Sequence, residues 1–166
     1  MPLAGGRAAL YLPLLNAAMD DFEINTGARQ SGFLAQVAVE SGSLRYVREI
    51  ASGAAYEGRK DLGNIHPGDG LKYPGRGLLQ VTGYDNTKAC SIALFNDLRL
   101  LDKPQILEIP EYAASSAAWF WSDFKKLNEL ADAGKFVTIT KRINGGTTAL
   151  DKRQEFYARA KEVLIA

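Results

Sequence analysis

The stretch YEGRKDLGNIHPGDGLKYPGRGLLQVTGYDN, residues 56–86, decides how the fold of this chain is interpreted. In and just before it, glycines stand at positions 53, 58, 63, 68, 70, 75, 77 and 83, and prolines at positions 67 and 74. No helical period runs through this segment, and a stretch of about thirty residues without regular structure is usually functional or disordered. Its tyrosines and aliphatic residues argue against disorder. We therefore predict an ordered loop region, with short strands near residues 78–82.

Helical patterns lie on both sides of this region. We predict helices over residues 8–24, 29–41, 86–96 and 150–164, and a helix that begins at Pro110. Residues 125–133 either continue that helix or form a separate one. KFVTITKRINGG, residues 135–146, leaves two alternatives open, because its β-branched residues favour a strand while its apolar residues are spaced for a helix. The prediction is a mainly α (α+β) protein with a single domain over residues 1–166.

The composition is that of an ordinary globular domain. The 166 residues are 46% hydrophobic and 23% charged, and the net charge is +1. This balance gives no support for a nucleic-acid-binding protein, which usually carries a basic excess. The apolar run at residues 8–15 is interrupted by Pro13 and suits an amphipathic helix better than a secretory signal. No run approaches the ~18–20 apolar residues of a membrane span. We expect a monomer without stable membrane association.

The cysteine and histidine content limits which disulfides and metal sites the chain can form. Cys90 is the only cysteine, so no disulfide forms within the chain, which suits a reducing compartment. His66 is the only histidine, which excludes a multi-histidine metal site. The Gly-Asp-Gly at 68–70 lacks the further acidic residues of a calcium loop. We predict no metal and no cofactor.

The segment FLAQVAVESG, residues 33–42, places a glutamate on an apolar helix face. In a helix that reaches residue 44, Phe33, Val37, Glu40 and Leu44 share one face. An ionised carboxylate is costly among apolar side chains. Glu40 is therefore either a solvated residue at the helix end, or a general acid that keeps its proton near neutral pH in an apolar pocket.

Hydrolysis of a glycosidic bond requires a second carboxylate beside the acid. Glu49 lies nine residues after Glu40, and Glu57 and Asp61 follow it. Spacing alone does not choose among these three candidates.

Five motifs, in this order, resemble glycoside hydrolase family 19, in the form seen in bacterial chitinases and phage endolysins. They are FLAQVAVESG (33–42), YEGRKDLGN (56–64), PGDG (67–70), YPGRGLLQVTG (73–83) and INGG (143–146), and RQEFY (153–157) extends the match. The resemblance implies a lysozyme-like fold of two lobes with a groove between them, and a single catalytic domain.

Position by position, the resemblance implies three catalytic residues: Glu40 as the general acid, Glu49 as the general base and Thr82 as the hydroxyl that holds the attacking water. A second set is implied to contact sugar: Tyr73, Gln80, Asn86, Asn144 and Arg153. One departure affects the finer sugar contacts. Residues 84–87 read Tyr-Asp-Asn-Thr, whereas family members often carry Arg-x-Asn-Tyr there.

The function implied is inverting hydrolysis of a β-1,4-linked polymer of N-acetylated aminosugars. We expect bacterial peptidoglycan as the substrate of an endolysin. Such an endolysin waits in the cytoplasm until a pore made by another protein releases it to the cell wall or periplasm. A chitinase with the same catalytic residues is the first alternative, and an inactive sugar-binding module is the second.

Overall fold

The computed structural model describes residues 1 and 3–165, and this part of the chain is mainly helical. Its α-helices are α1 (Gly6–Asp21), α2 (Gly27–Glu40), α3 (Asp69–Lys72), α4 (Tyr84–Phe95), α5 (Arg99–Asp102), α6 (Pro110–Trp119), α7 (Asn128–Asp132), α8 (Phe136–Asn144) and α9 (Leu150–Leu164). Short 3-10 helices occur at Ala54–Tyr56, Lys60–Leu62 and Pro104–Glu108, and a π-helical turn, Phe120–Phe124, follows α6 directly.

The mainly helical fold predicted from the sequence is confirmed. Each long predicted helix is present, with ends that differ by a few residues. The ambiguous stretch at 135–146 is a helix, α8, because its residues Phe136 and Ile139 turn one face into the core. The segment 125–133 is not a continuation of α6, since the π-helical turn separates α6 from the short helix α7.

Helix α2 is the central element of the core. It begins where the Thr26 hydroxyl accepts a hydrogen bond from the backbone N–H of Arg29, a regular N-cap. Phe33 is fully buried and meets the Trp121 ring edge-on at 5.7 Å between centroids. Gly32 lies directly under the same indole, where a larger residue would not fit. Gly27, the first residue of α2, lies in the same way against the backbone of Leu164, the last residue of α9, and α9 packs closely along α2.

The glycine-rich region is ordered without a sheet. The short strands predicted near residues 78–82 are absent, since the described residues contain only single bridges, between Arg48 and Arg76 and between Arg76 and Val81. Backbone groups in this region are satisfied by turns, such as the 3.3 Å bond from Gln80 N–H to the Gly77 carbonyl, and by bonds between distant segments, such as the 2.8 Å bond from Glu49 N–H to the Gly75 carbonyl. Glycines and prolines spaced this closely leave no run long enough for a ladder.

A buried arginine holds this region onto the helices. Arg76 is 6% exposed, and its Nε donates to Glu108 at 2.8 Å. Its Nη1 donates to the carbonyl of Lys72 at 2.9 Å. The guanidinium therefore replaces the sheet hydrogen bonds that this region lacks, and joins it to the 3-10 helix at Pro104–Glu108.

Cys90 is buried, as the sequence predicted, and burial raises the pKa of its thiol to about 12. The thiol is therefore protonated at neutral pH and acts as a small apolar side chain. Trp119 and Trp121 are both buried as well. None of the helices in the described part of the chain is long and apolar enough to cross a membrane.

Gly77→Ala is expected to destabilise the fold more than a comparable glycine substitution. Gly77 has φ +80°, and a Cβ there would lie 2.5 Å from the hydroxyl oxygen of Ser116, a fully buried residue of α6. The positive φ alone costs an alanine about 1–2 kcal/mol, and overpacking adds about 1–3 kcal/mol. Equilibrium urea denaturation measures the loss in free energy of unfolding.

Gly58→Ala is the matched control, since Gly58 has φ +69° but nothing within 4 Å of the added Cβ. It carries the cost of the backbone conformation without the clash. Equal losses for the two variants would show that the approach of Ser116 does not constrain Gly77.

Candidate active site

Glu40 is the last residue of α2, and its carboxylate is bound by an arginine from α9, near the C-terminus. Arg153 Nη2 donates to Glu40 Oε1 at 2.6 Å. Side-chain exposure is 20% for Glu40 and 3% for Arg153, so the pair lies largely out of water. A carboxylate at the C-terminal end of a helix meets the negative end of the helix dipole, and the guanidinium offsets this repulsion.

The contacts bear on two expectations for this pair. Glu40 does not lie in a purely apolar pocket, because a charged guanidinium contacts its oxygen. Arg153 was predicted to contact sugar, but the residue is only 2% exposed. Its donors are directed at Glu40, at Gln36 and at the carbonyl of Thr148, the last at 3.0 Å. The guanidinium of Arg153 is thus used within the protein, and its role as a sugar contact stays a prediction.

Glu49 is held differently, by neutral donors on both of its oxygens. The Tyr56 hydroxyl donates to Oε1 at 2.8 Å, and the backbone N–H of Gly75 donates to Oε2 at 3.1 Å. Burial raises the pKa of Tyr56, and the bond to Glu49 raises it further. The phenol therefore stays protonated at neutral pH and remains a donor to the carboxylate.

The three candidates for the second carboxylate have different surroundings. Glu57 accepts from the backbone N–H groups of Gly68 and Gly70, at 2.7 and 2.8 Å, and so braces the turn that leads into α3. Asp61 is exposed and paired with Arg59, which lowers its pKa. Of the three, Glu49 alone is both partly buried and adjacent to the YPGRGLLQVTG motif.

Gly75 brings the residues of that motif against Glu49. A Cβ at Gly75 would lie 2.5 Å from the Gln80 side-chain oxygen and 3.1 Å from Thr82 Oγ1. Only glycine allows the backbone N–H that binds Glu49 to lie this close to both side chains. Thr82 Oγ1 donates to the Gln80 carbonyl at 3.0 Å, so the hydroxyl keeps its lone pairs free to accept. Asn86 Nδ2 donates to the carbonyl of Thr82 at 2.7 Å.

Gln80, Asn86 and Asn144 remain predictions as sugar contacts. Gln80 and Asn86 are partly exposed and each uses its amide nitrogen on a backbone carbonyl, at Gly77 and Thr82 respectively. Neither amide oxygen accepts a hydrogen bond from the described residues. Asn144 is exposed at the C-terminal end of α8.

Tyr73 does not have the surface that a sugar contact requires. It was predicted as an aromatic residue near the cleft, but it is only 3% exposed. Its hydroxyl donates to the carbonyl of Leu101 at 3.0 Å, and its ring meets Tyr84 edge-on. Tyr73 therefore packs inside the loop region, and its ring is too buried to stack on a sugar.

Two residues of the site were missed in the sequence. Tyr56 lies within the YEGRKDLGN motif, but nothing in the local pattern showed that its hydroxyl would turn back to Glu49. Gln36, one helical turn before Glu40 on α2, contacts Arg153. Its position on a buried helix face, at i and i+4 with Glu40, was the available signal.

Among the described residues, no group of three His, Cys, Asp or Glu side chains is arranged to hold a metal.

Comparison with curated proteins finds relatives that carry glycoside hydrolase names. A glycosyl hydrolase family 19 domain-containing protein of Haemophilus influenzae is 36% identical over 109 residues, which are 66% of this chain and 51% of that protein. An endochitinase of Arabidopsis thaliana is 37% identical over 117 residues, 70% of this chain and 39% of the endochitinase. The chain thus matches about half, or less, of the length of these relatives. No protein-family model matches the chain.

Comparison with solved structures finds the same fold in two chitinases. Chitinase C from Streptomyces griseus aligns with a TM-score of 0.75 at 22% identity, over 92% of this chain and 83% of the other. A class IV chitinase from Zea mays aligns with a TM-score of 0.72 at 22% identity, over 92% and 79%. At this identity the likeness establishes the arrangement of the helices and the loop region between them.

Tyr56→Phe is expected to lower kcat for the hydrolysis that the motifs imply by about tenfold, because a lost hydrogen bond to a charged group is typically worth about 1.5–3 kcal/mol. Glu49 would keep the Gly75 N–H but could rotate about it. The measurement is kcat beside the melting temperature. Tyr112→Phe, which removes a hydroxyl from a ring packed on Phe95, is the matched control. Equal kcat in both variants would exclude a role for Tyr56 in holding Glu49.

Proposed function

Since this chain belongs to glycoside hydrolase family 19, we propose that it hydrolyses β-1,4 bonds in a polymer of N-acetylated aminosugars, with inversion at the anomeric carbon. The observation that carries the proposal is that two carboxylates, Glu40 and Glu49, are bound by different kinds of hydrogen-bond donor. Glu40 is bound to a guanidinium, and Glu49 is bound to a phenol and an amide beside Thr82. Hydrolysis of a glycoside by inversion needs two such carboxyl groups, and Arg153 is placed to bind the carboxylate that Glu40 becomes once it has given up its proton.

In the proposed reaction, Glu40 gives its proton to the glycosidic oxygen as the bond from that oxygen to the anomeric carbon breaks. Glu49 takes a proton from a water molecule, whose oxygen bonds to the anomeric carbon from the opposite face. The products are two shorter saccharides, an ionised Glu40 and a protonated Glu49. Exchange of one proton through solvent restores the starting state. No cofactor or metal is needed to balance these steps.

Thr82 is proposed to fix the attacking water together with Glu49. Its hydroxyl proton is given to the Gln80 carbonyl, so its oxygen accepts a hydrogen bond from the water while Glu49 accepts the other. A water held at two points is positioned before the sugar arrives, and positioning accounts for a large share of such rate enhancements.

Bacterial peptidoglycan is the proposed substrate, as cleaved by an endolysin. The segment that joins Glu40 to Glu49 contains no other acidic residue and carries two exposed arginines, Arg45 and Arg48. The Arg45 guanidinium lies over the ring of Tyr46, 5.1 Å from its centroid. Peptidoglycan bears carboxylates on its peptides, whereas chitin is uncharged, so exposed cations on the segment between the two carboxylates favour peptidoglycan. In this proposal the protein is a monomer that stays in the cytoplasm until it is released to the cell wall.

Chitin is the second candidate substrate, because the similar proteins from Arabidopsis, Streptomyces and Zea are named as chitinases. The same catalytic residues serve both polymers. The wild-type protein is incubated with purified sacculi and with colloidal chitin, and new reducing ends are counted. Mass analysis of released muropeptides then identifies the sugar at each new reducing end. Faster release from chitin would overturn the peptidoglycan proposal, and binding without release from either polymer would indicate an inactive module.

Glu40→Gln is expected to lower kcat by roughly 10²–10⁴-fold, since general acid catalysis has that range. The amide keeps an oxygen that Arg153 can bind, but it leaves the buried guanidinium without its counter-charge, so the melting temperature should also fall. Binding to sacculi in a pull-down assay should persist. Activity within a few-fold of wild type would remove Glu40 from the reaction.

Thr82→Val is expected to lower kcat tenfold or more, which corresponds to about 1.4 kcal/mol, with sacculus binding little changed. Valine has nearly the same shape but does not accept a hydrogen bond. It also removes the bond to the Gln80 carbonyl, so Thr82→Ser, which keeps both functions of the hydroxyl, should restore most of the activity. A lower melting temperature with near-normal kcat would assign Thr82 a structural role only.

A further inference from the structure

A chain of buried polar side chains runs from the Glu40 carboxylate into the interior. Arg153 donates to Glu40 through Nη2 and to the Gln36 side-chain oxygen through Nη1. The Gln36 amide nitrogen in turn donates to Thr140 Oγ1 at 2.8 Å. Gln36 and Thr140 are both fully buried. The four residues come from three helices: α2 supplies two of them, α9 supplies Arg153 and α8 supplies Thr140.

Burial makes this chain sensitive to the loss of any one member. A polar group left unpaired in the interior costs its full desolvation, and hydrogen bonds in a low dielectric polarise one another. The amide of Gln36 is used at both ends, with its oxygen on Arg153 and its nitrogen on Thr140. Because a guanidinium only donates, the amide oxygen must face Arg153. The Thr140 hydroxyl accepts from the amide nitrogen, and the two bonds together hold the amide in place beside the guanidinium.

We propose that Gln36 and Thr140 are positioning residues for the general acid, and that they act on Glu40 only through Arg153. The inference rests on the proposed function for its kinetic consequence. Neither residue is placed to touch sugar, because both are enclosed by α2, α8 and α9. Thr140 is three contacts away from the carboxylate, with Gln36 and Arg153 between them.

Arg153 needs such support because its side chain is long and its other fixed partner is a backbone carbonyl. The bond from Nε to the Thr148 carbonyl holds one side of the guanidinium. Gln36 holds Nη1, which leaves Nη2 directed at Glu40 Oε1. Without the Gln36 bond the planar group could rotate about the remaining contacts, and the carboxylate would follow it.

The test is Thr140→Val, which keeps the volume and removes the hydroxyl. We expect kcat on the preferred polymer to fall about tenfold while KM changes less than twofold, because a small misplacement of a catalytic group affects the chemical step. Thr140→Ser, which retains the hydroxyl, should recover most of the lost kcat. Thr138→Val is the matched control, since Thr138 is an exposed residue of the same helix.

A double variant separates one chain of contacts from independent effects. Gln36→Met is similar in length to glutamine but forms no bond to Arg153 or Thr140. If Thr140 acts through Gln36, adding Thr140→Val to Gln36→Met should change kcat by less than twofold, because interacting residues are not additive. If Thr140→Val lowers kcat tenfold in the Gln36→Met background as well, the two losses multiply. That result would show that Thr140 acts by another route, and it would overturn the inference.

Crystal structures of wild type and Thr140→Val give a readout that does not depend on turnover. We expect the Arg153 Nη2–Glu40 Oε1 contact to lengthen beyond hydrogen-bond range or to become one of two conformers. An unchanged contact, or kcat equal to that of Thr138→Val with only a lower melting temperature, would overturn the inference. A wild-type protein inactive on both polymers would overturn the proposed function instead, and the crystal structures would still decide the positioning role.

Discussion

The buried guanidinium of Arg153 imposes the main constraint on this molecule. A cation that is 2% exposed is tolerated only when its charge is balanced and its donors are used. Glu40 balances the charge, while Gln36 and the Thr148 carbonyl take other donors. The Arg153 guanidinium reaches Glu40 and Gln36 only if α9 lies along α2, and it reaches the Thr148 carbonyl only if the turn before α9 folds back toward it. The close packing of these two helices and the placement of the candidate acid therefore have the same cause.

A second constraint operates in the glycine-rich region, where the backbone is held without a sheet. Arg76 and Glu108 form a largely buried pair that ties this region to the helices. Glycine at position 75 lets the backbone come within reach of Glu49 while Gln80 and Thr82 lie against it. The stability of the region and the support of Glu49 again depend on the same few residues.

The two carboxylates consequently receive different kinds of support. The oxygen of Glu40 is bound by a charged group that two further partners hold, Gln36 and the Thr148 carbonyl, so the position of Glu40 depends on the core. Glu49 is bound by a phenol and a backbone amide in a loop region, where Thr82 is also within reach of the same glycine. This division is consistent with the roles proposed above, in which Glu40 is held rigidly as the acid and Glu49 shares a water molecule with Thr82.

The sequence by itself determined the long helices, the ordered glycine-rich region and the family, because apolar period, Gly/Pro density and motif order are local properties of the chain. It also indicated Glu40 and Glu49, through the resemblance. Only the tertiary structure decided that Arg153 and Tyr73 are buried, that Tyr56 turns back to Glu49 and that Gln36 joins Arg153 to Thr140. Gln36 and Arg153 are 117 residues apart in sequence. Contacts of this kind depend on how three helices pack and where side chains point, and no local pattern encodes either. The predicted strands failed for a related reason: the residues near 78–82 have strand-like propensity, but an isolated turn held by Arg76 left them no partner with which to form a ladder.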